Sequence, residues 1–273
     1  MAEVVVTGAT GFVGRHLLAR LLRDGHAVRG TVWTGEPAVV LPEGVTAVPI
    51  EAIGPETEWG HLLAGVDTVF HLAARVHVMK EPGGDPLMLY REVNVAGTER
   101  LARQAASAGV RRLVFLSSVK VHGEETREPY REDSPLAPRD PYGISKMEGE
   151  DALRRIEREA GLEIVILRPP LVYGPGVKAN FLELLRCVDR GWPLPLASTR
   201  NARSLIYVGN LVDALTRCGD DSRAAGKTYL ISDGEDVSTS RLVRFMAAAL
   251  GRPPRLVPFP IGLLSLAGRL AGR

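Results

Sequence analysis

Tyr142 and Lys146 stand four residues apart at the start of Tyr142–Ala160, a segment with helical period. Residues at i and i+4 share one helix face, so the phenol and the ammonium come side by side. A free tyrosine has a pKa of about 10, too high for ready proton exchange at neutral pH. A neighbouring cation favours the phenolate and lowers that value, which makes Tyr142 a candidate acid/base. Tyr-x-x-x-Lys alone arises by chance in many helices. Here it follows Ser117 and Ser118, which come directly after the apolar run Arg112–Leu116. The carboxyl end of a buried strand is where ligands sit in open α/β sheets, so Ser118 is placed to hydrogen-bond a reacting oxygen. A turn or helix-cap role is the alternative for either serine.

A second chemical feature opens the chain. Gly8, Gly11 and Gly14 lie in TGATGFVG, between the β-branched run Glu3–Thr7 and the helical pattern Val13–Arg23. Glycines there permit a tight turn and close approach of backbone to a pyrophosphate, and the helix N-terminus adds free N–H groups and partial positive charge. A strand–turn–helix context makes a dinucleotide the expected ligand. An NAD site calls for an acid at the end of the second strand, Ala27–Trp33. The chain reads Val28-Arg29-Gly30-Thr31-Val32-Trp33-Thr34, with no acid before Glu36. Arg29 would help hold the 2′-phosphate of NADP if it faced the site, and is otherwise a surface residue. Trp33 either packs on adenine or is an ordinary tryptophan. NAD and NADP both stay open.

These groups need a scaffold, and the rest of the chain supplies its outline. Thr46–Ile50, Thr68–Leu72 and Glu163–Leu167 read as further strands; Asn94–Ala108 reads as a helix ended by Gly109. Alternation of this kind predicts an α/β fold, a Rossmann-like doubly wound parallel sheet with helices on both faces. After residue 170 the regularity falls. Gly174-Pro175-Gly176 marks a loop, and Asn180–Arg190, Leu211–Cys218 and Arg241–Leu250 read as helices, the last capped by Ser238. Ser204–Val208 and Thr228–Ser232 read as strands. The expected organisation is a dinucleotide-binding domain over 1–170, with 204–225 returning to it. A smaller, interleaved substrate lobe takes 171–203 and 226–273.

Composition removes other classes. The net charge is +2 over 273 residues, so nothing calls for nucleic acid or an anionic membrane. Cys187 and Cys218 are too few for a disulfide framework and have no metal-ligand spacing, so reduced thiols and no metal are expected. MAEVVVTGAT runs straight into a strand, which argues against a signal peptide. PFPIGLLSLAG is too short to span a bilayer. A cytoplasmic protein is the expectation.

The chain also resembles the extended short-chain dehydrogenase/reductases, the NAD-dependent epimerase/dehydratase family. The matching pieces are TGATGFVG, HLAA (71–74), NVAGT (94–98), LSSVKVHGE (116–124), PYGISK (141–146), LRPPLVYGPG (167–176) and RSLIYVGNLVDA (203–214), in the family's order. The resemblance implies that Ser118, Tyr142 and Lys146 form the catalytic triad. It implies that Phe12, Val13, Ile53, Leu72, Ala73, Ala74 and Pro169 border the cofactor with the glycines and Trp33, and that Asn94 supports the site. It implies further that Asn180, Phe181 and Arg203 receive the nucleotide half of a sugar-nucleotide substrate. A guanidinium fork suits phosphate oxygens, although Arg203 could equally serve a surface ion pair. By analogy with the family, the protein is a homodimer paired through Asn94–Ala108 and Tyr142–Ala160.

Departures from the family pattern narrow the reaction. Val119-Lys120 stands where 4,6-dehydratases carry Asp-Glu, so elimination of water is not expected. His122 replaces the more usual tyrosine of a Val-Tyr-Gly turn and reads as pocket-lining or structural. Ala52 occupies the place of an adenine-binding aspartate in many relatives, and the chain stops soon after Pro260, where relatives commonly continue; a trimmed substrate lobe is the expectation. The reading is an NAD(P)-dependent enzyme acting at C4 of a UDP-type sugar, as an epimerase or a 4-ketoreductase. A carbonyl reductase on a non-nucleotide ketone is the alternative, and a dinucleotide-sensing protein without turnover is a third.

Overall fold

The computed structural model describes residues 2–35, 41–76, 85–260 and 262. Its elements run β1 (Glu3–Thr7), α1 (Phe12–Arg23), β2 (Ala27–Trp33), β3 (Val45–Ile50), α2 (Gly60–Leu63), β4 (Thr68–His71), α3 (Pro86–Arg91), α4 (Thr98–Ser107), β5 (Arg112–Leu116), α5 (Pro141–Ala160), β6 (Glu163–Arg168), β7 (Leu171–Tyr173), α6 (Ala179–Asp189), β8 (Leu205–Tyr207), α7 (Val208–Asp220), β9 (Thr228–Leu230) and α8 (Thr239–Ala249). They form two compact units. One holds Met1–Pro170 and Val208–Ile231, the other Leu171–Tyr207 and Ser232–Arg273.

The larger unit is a seven-stranded sheet in the order β3-β2-β1-β4-β5-β6-β9. Every pairing is parallel. Order reverses between β1 and β4, the switch point where doubly wound sheets bind ligands. A parallel sheet is covered on both faces, so its central strands read as nearly continuous apolar runs. Val4–Val6, Val69–Phe70, Leu113–Phe115 and Ile164–Leu167 are all buried accordingly. One face packs against Leu101, Ala102 and Ala105 of α4, Leu153 and Ile156 of α5, and Trp59, Leu62 and Leu63 around α2. On the other face α1 and α7 lie together. There Gly219 brings α7 so near β4 that an added Cβ would stand 2.6 Å from Phe70 Cζ. The register pairs Thr7 with His71, His71 with Phe115, and Leu116 with Leu167. Gly8, Leu72 and Ser117 therefore leave the sheet along one edge, where Arg168 ends β6.

In the smaller unit β7 pairs in parallel with β8. Val188 of α6 packs with Val243, Met246 and Ala247 of α8, against Phe181, Leu184 and Leu185. Ser238 caps α8 as expected, its hydroxyl accepting from the Arg241 N–H at 3.2 Å.

Three features differ from the sequence reading. First, the unit boundaries fall at 207/208 and 231/232, rather than 203/204 and 225/226. The cause is pairing: β8 joins β7, while β9 extends the large sheet beside β6. Second, the helix expected over Asn94–Ala108 begins earlier. Asp85 caps α3, its Oδ1 accepting from the Leu87 N–H at 3.0 Å with Pro86 in the first position, and α3 runs through a π-helical turn, Glu92–Gly97, into α4. Third, the three-residue strand β7 is too short to carry a periodic signal.

Candidate active site

Ser118 follows β5 in extended conformation and opens a 3-10 turn, Val119–His122, its hydroxyl accepting from the Lys120 N–H at 3.2 Å. Tyr142 enters from the first turn of α5. That helix starts there because Asp140 caps it, Oδ1 accepting from the Gly143 N–H at 2.6 Å, with Pro141 in the first position. The Tyr142 phenol lies beside the Ser118 hydroxyl, which acts to hold its pKa down. One turn on, Lys146 is 1% exposed. Its ammonium donates to the Leu116 carbonyl at 2.8 Å and lies 4.3 Å from the centre of the Phe115 ring. The structure thus brings Ser118, Tyr142 and Lys146 together at the end of β5.

Burial governs the electrostatics here. It pushes the Tyr142 phenol up to about 12, with the Asp140 carboxylate adding to the rise and the nearby Ser118 hydroxyl opposing it. Burial also pushes Lys146 down to about 7, against the pull of Glu150. The sequence reading had the lysine lower the tyrosine. Desolvation outweighs that effect among the chain's own groups, so the phenol stays a proton donor until further positive charge comes beside it.

Asn94 is buried in the π-helical turn, a distortion frequent at functional sites. Its amide donates to the Arg75 carbonyl at 3.0 Å and to Ser145 Oγ at 2.9 Å, and its Oδ1 accepts from the Arg75 N–H at 2.8 Å. Asn94 therefore ties the segment after β4 to α5. Arg75 lies 5.7 Å from the centre of the Tyr90 ring, and Tyr90 meets Tyr142 edge-on at 6.4 Å.

The glycine turn is equally built. Gly8 has φ +71°, and a Cβ there would stand 2.8 Å from Ala73 N. A Cβ on Gly14 would run into the Gly8 carbonyl oxygen and stand 2.9 Å from Ala9 Cα. Only glycine fits either place, and the space kept clear is what a pyrophosphate needs to reach backbone N–H groups at a helix N-terminus. Phe12 and Val13 begin α1 beside this turn. Thr31 Oγ1 accepts from the Gly8 N–H at 3.2 Å, and Thr7 Oγ1 accepts from the Ala73 N–H at 3.3 Å. Thr7 in turn bonds His71, which bonds Thr98, at 2.7 and 2.9 Å. Burial drives His71 down to about 3, so it serves this chain as a neutral ring. The sequence does not single out this network, because its bonded pairs are 23 to 66 residues apart and leave no local signal.

Other expected cofactor residues fall as follows. Leu72, Ala73 and Ala74 continue β4 past the switch point, and Pro169 follows β6, its carbonyl accepting from the Val119 N–H at 3.0 Å. Ile53 packs on the core under Gly97. Trp33 ends β2 with 52% exposure, its indole N–H held by the Glu51 carbonyl at 2.7 Å. Arg29 is engaged elsewhere, with Glu3 at 2.5 Å and the Leu62 carbonyl at 2.7 Å. The chance that it receives a 2′-phosphate is removed by those contacts. His122 is structural, buried and bonded to Arg168.

In the smaller unit, Asn180 is an exposed residue in the first turn of α6, next to Ala179, whose φ of +55° is rare for a non-glycine residue. Phe181 stacks on Tyr173 at 5.6 Å. Arg203 is exposed, with its backbone bridged to Val237. Among the described residues, no helix is long and apolar enough to cross a membrane, and no group of three His, Cys, Asp or Glu could hold a metal ion.

Comparison with known proteins agrees with this geometry. The model of the NAD dependent epimerase/dehydratase family matches residues 4–232. A UDP-glucose 4-epimerase of Vibrio cholerae is 44% identical over 99% of this chain and 83% of its own length. An N-acetyl-alpha-D-glucosaminyl-diphospho-ditrans,octacis-undecaprenol 4-epimerase of Escherichia coli O157:H7 is 29% identical, over 96% of this chain and 77% of its own. A solved structure of MoeE5 in complex with UDP-glucuronic acid and NAD superposes with TM-score 0.78 and 29% identity, covering 94% of this chain and 85% of that one.

Proposed function

Since the chain belongs to the NAD dependent epimerase/dehydratase family, we propose that it inverts C4 of a UDP-sugar, with Tyr142 as the acid/base. The observation that carries the reading is the grouping of Ser118, Tyr142 and the buried Lys146 at the end of β5, at the same sheet edge as the Gly8–Gly14 turn. NAD suits that turn: two positions admit no Cβ, and the second strand offers no free cation for a 2′-phosphate. Bound there, the dinucleotide supplies reversible two-electron oxidation at the sugar carbon.

The chain's own part is proton handling and orientation. Ser118 and Tyr142 both address the oxygen on C4. Tyr142 takes its proton as the carbonyl forms and returns it as the alkoxide is restored, so one pair of groups serves both halves of the inversion. Lys146, fixed by the Leu116 carbonyl, supplies positive charge to the site, and Asn94 holds α5 in place. Asn180, Phe181 and Arg203 are the proposed contacts to the nucleotide. Pairing through α4 and α5 and a cytoplasmic location belong to the same proposal.

The test is interconversion of UDP-glucose and UDP-galactose by purified protein with NAD. Tyr142→Phe lowers kcat by about 10²–10⁴, the usual worth of general acid–base catalysis. Undiminished turnover in that variant refutes the mechanism. Steady consumption of NADH with a UDP-4-keto sugar, without interconversion, makes the protein a reductase instead.

A further inference from the structure

Three consecutive residues at the end of β5 meet three successive turns of α5. The Leu116 carbonyl accepts from Lys146, Ser117 Oγ donates to Glu150 Oε1 at 2.5 Å, and the Ser118 hydroxyl lies beside the Tyr142 phenol. Positions 142, 146 and 150 recur every four residues and stand in one row. Glu150 has no part in the chemistry above, yet it is 3% exposed and its partner Arg168 5%. Arg168 Nε and Nη2 donate to the two carboxylate oxygens of Glu150, at 3.0 and 2.5 Å. Its Nη1 donates to His122 Nε2 at 3.0 Å and to the Glu132 carbonyl at 3.2 Å. An imidazole that accepts at Nε2 carries its proton on Nδ1, and His122 Nδ1 accordingly donates to the Pro135 carbonyl at 3.3 Å. Arg168 ends β6, and His122 ends the 3-10 turn that Ser118 opens.

A buried ion pair is a poor device for stability alone, because desolvation of both charges cancels much of their attraction. A two-pronged guanidinium–carboxylate contact does supply direction, fixing both partners in angle as well as distance. We propose that Glu150 and Arg168 are positioning residues for the reaction: their ion pair, extended to Ser117 and His122, locks the third turn of α5 onto the ends of β5 and β6 and so holds Tyr142, Lys146 and Ser118 in reacting register. This rests on the reading of those three residues given above.

The pair also has an electrical effect. Lys146 faces Tyr142 and Glu150 along its own helix, neutral His71 at the end of β4, and the Phe115 ring and Leu116 carbonyl of β5; Arg168 of β6 stands behind Glu150. The Glu150 carboxylate is what opposes the loss of the Lys146 proton on burial. Without it, the ammonium is lost at lower pH.

The experiment compares Glu150→Gln, Glu150→Asp, Ser117→Ala and Tyr142→Phe with the wild type in UDP-glucose/UDP-galactose interconversion with NAD. It measures kcat, KM and the pH profile of kcat, with circular dichroism to verify folding. An ångström of misplacement costs about 100-fold, so E150Q is expected to lose about 10- to 100-fold in kcat while KM moves less than about threefold. Its alkaline limb moves to lower pH, and E150D recovers part of the loss. S117A, which keeps the ion pair, loses roughly three- to tenfold by the same misplacement argument. A folded E150Q with unchanged kcat and an unmoved alkaline limb overturns the proposal. If E150Q does not fold, S117A at wild-type kcat overturns it. Full activity in Tyr142→Phe would instead strike the reading of the site itself.

Discussion

Replacing Gly14 with alanine tests the glycine turn with one methyl group. Gly14 is the third residue of α1, where alanine is intrinsically favoured over glycine by about 1 kcal/mol. The added Cβ, however, runs into the Gly8 carbonyl oxygen and stands 2.9 Å from both Ala9 Cα and Ala9 O. All three are backbone atoms, so no side chain can swing away. The Gly8 carbonyl also accepts the Gly11 N–H at 3.0 Å, a bond worth about 1 kcal/mol that is broken when the carbonyl moves. Overpacking of this kind costs about 1–3 kcal/mol. With the propensity gain offsetting the lost hydrogen bond, the net loss is about 1–3 kcal/mol, or roughly 2–12 °C in Tm for a domain of this size. The same shift moves the N–H groups meant for the pyrophosphate, so NAD affinity falls more steeply than stability does. Gly60→Ala is the internal control: it begins α2 with nothing within 4 Å of its Cβ. Thermal melts and NAD titration by equilibrium dialysis measure both effects. A Gly14→Ala protein that binds NAD like the wild type would refute the assignment of the turn.

Other perturbations follow from the same geometry. His71, held near 3 by burial, binds no proton in the folded chain between about pH 3 and 6.5, whereas the unfolded chain does; stability therefore falls as pH drops through that window. Urea titrations at pH 7 and 5 should show a shallower loss for His71→Gln than for the wild type, and equal slopes would count against it. Arg112, fully buried, donates to the carbonyls of Cys218, Gly219 and Asp221 at 2.9, 3.1 and 2.7 Å. Arg112→Met should cost about 3–5 kcal/mol in denaturant melts by stranding those carbonyls and Glu163, and a cost under about 1 kcal/mol would contradict that role. Asn94→Ala should lower kcat by about 10-fold or more with circular dichroism unchanged, through the loss of its bonds to Ser145 and Arg75; wild-type kcat would show that the link is dispensable.

Much of this was legible in the sequence, for physical reasons. Strands buried on both faces leave apolar runs, so β1 and β5 fall on the residues expected from the pattern alone; β2, AVRGTVW, is only partly buried, and its bounds follow from the Asp24-Gly25 break before it. Tyr142 and Lys146 were legible because a helix converts spacing into adjacency. What escaped depends on distant contacts. Asp85-Pro86 is a sound helix start, yet nothing in the sequence says that the helix passes through a π turn so that Asn94 can reach Ser145. The partnership of Glu150 with Arg168 spans two elements, and its only trace in sequence is the third member of the Tyr142, Lys146, Glu150 row. Burial also reversed the expected direction of the Tyr142 shift, because desolvation is a property of the packed site and not of a motif.

The larger unit is closed by a strand made late. β9 pairs with β6 only after the chain has left for residues 171–207 and come back. On a ribosome, the sheet cannot acquire its seventh member until residue 230 has emerged, by which time β7, α6 and β8 are already outside the tunnel. The smaller unit is threaded through the larger one's synthesis, so grafting another relative's smaller unit here means cutting at three junctions, 170/171, 207/208 and 231/232, rather than swapping a tail.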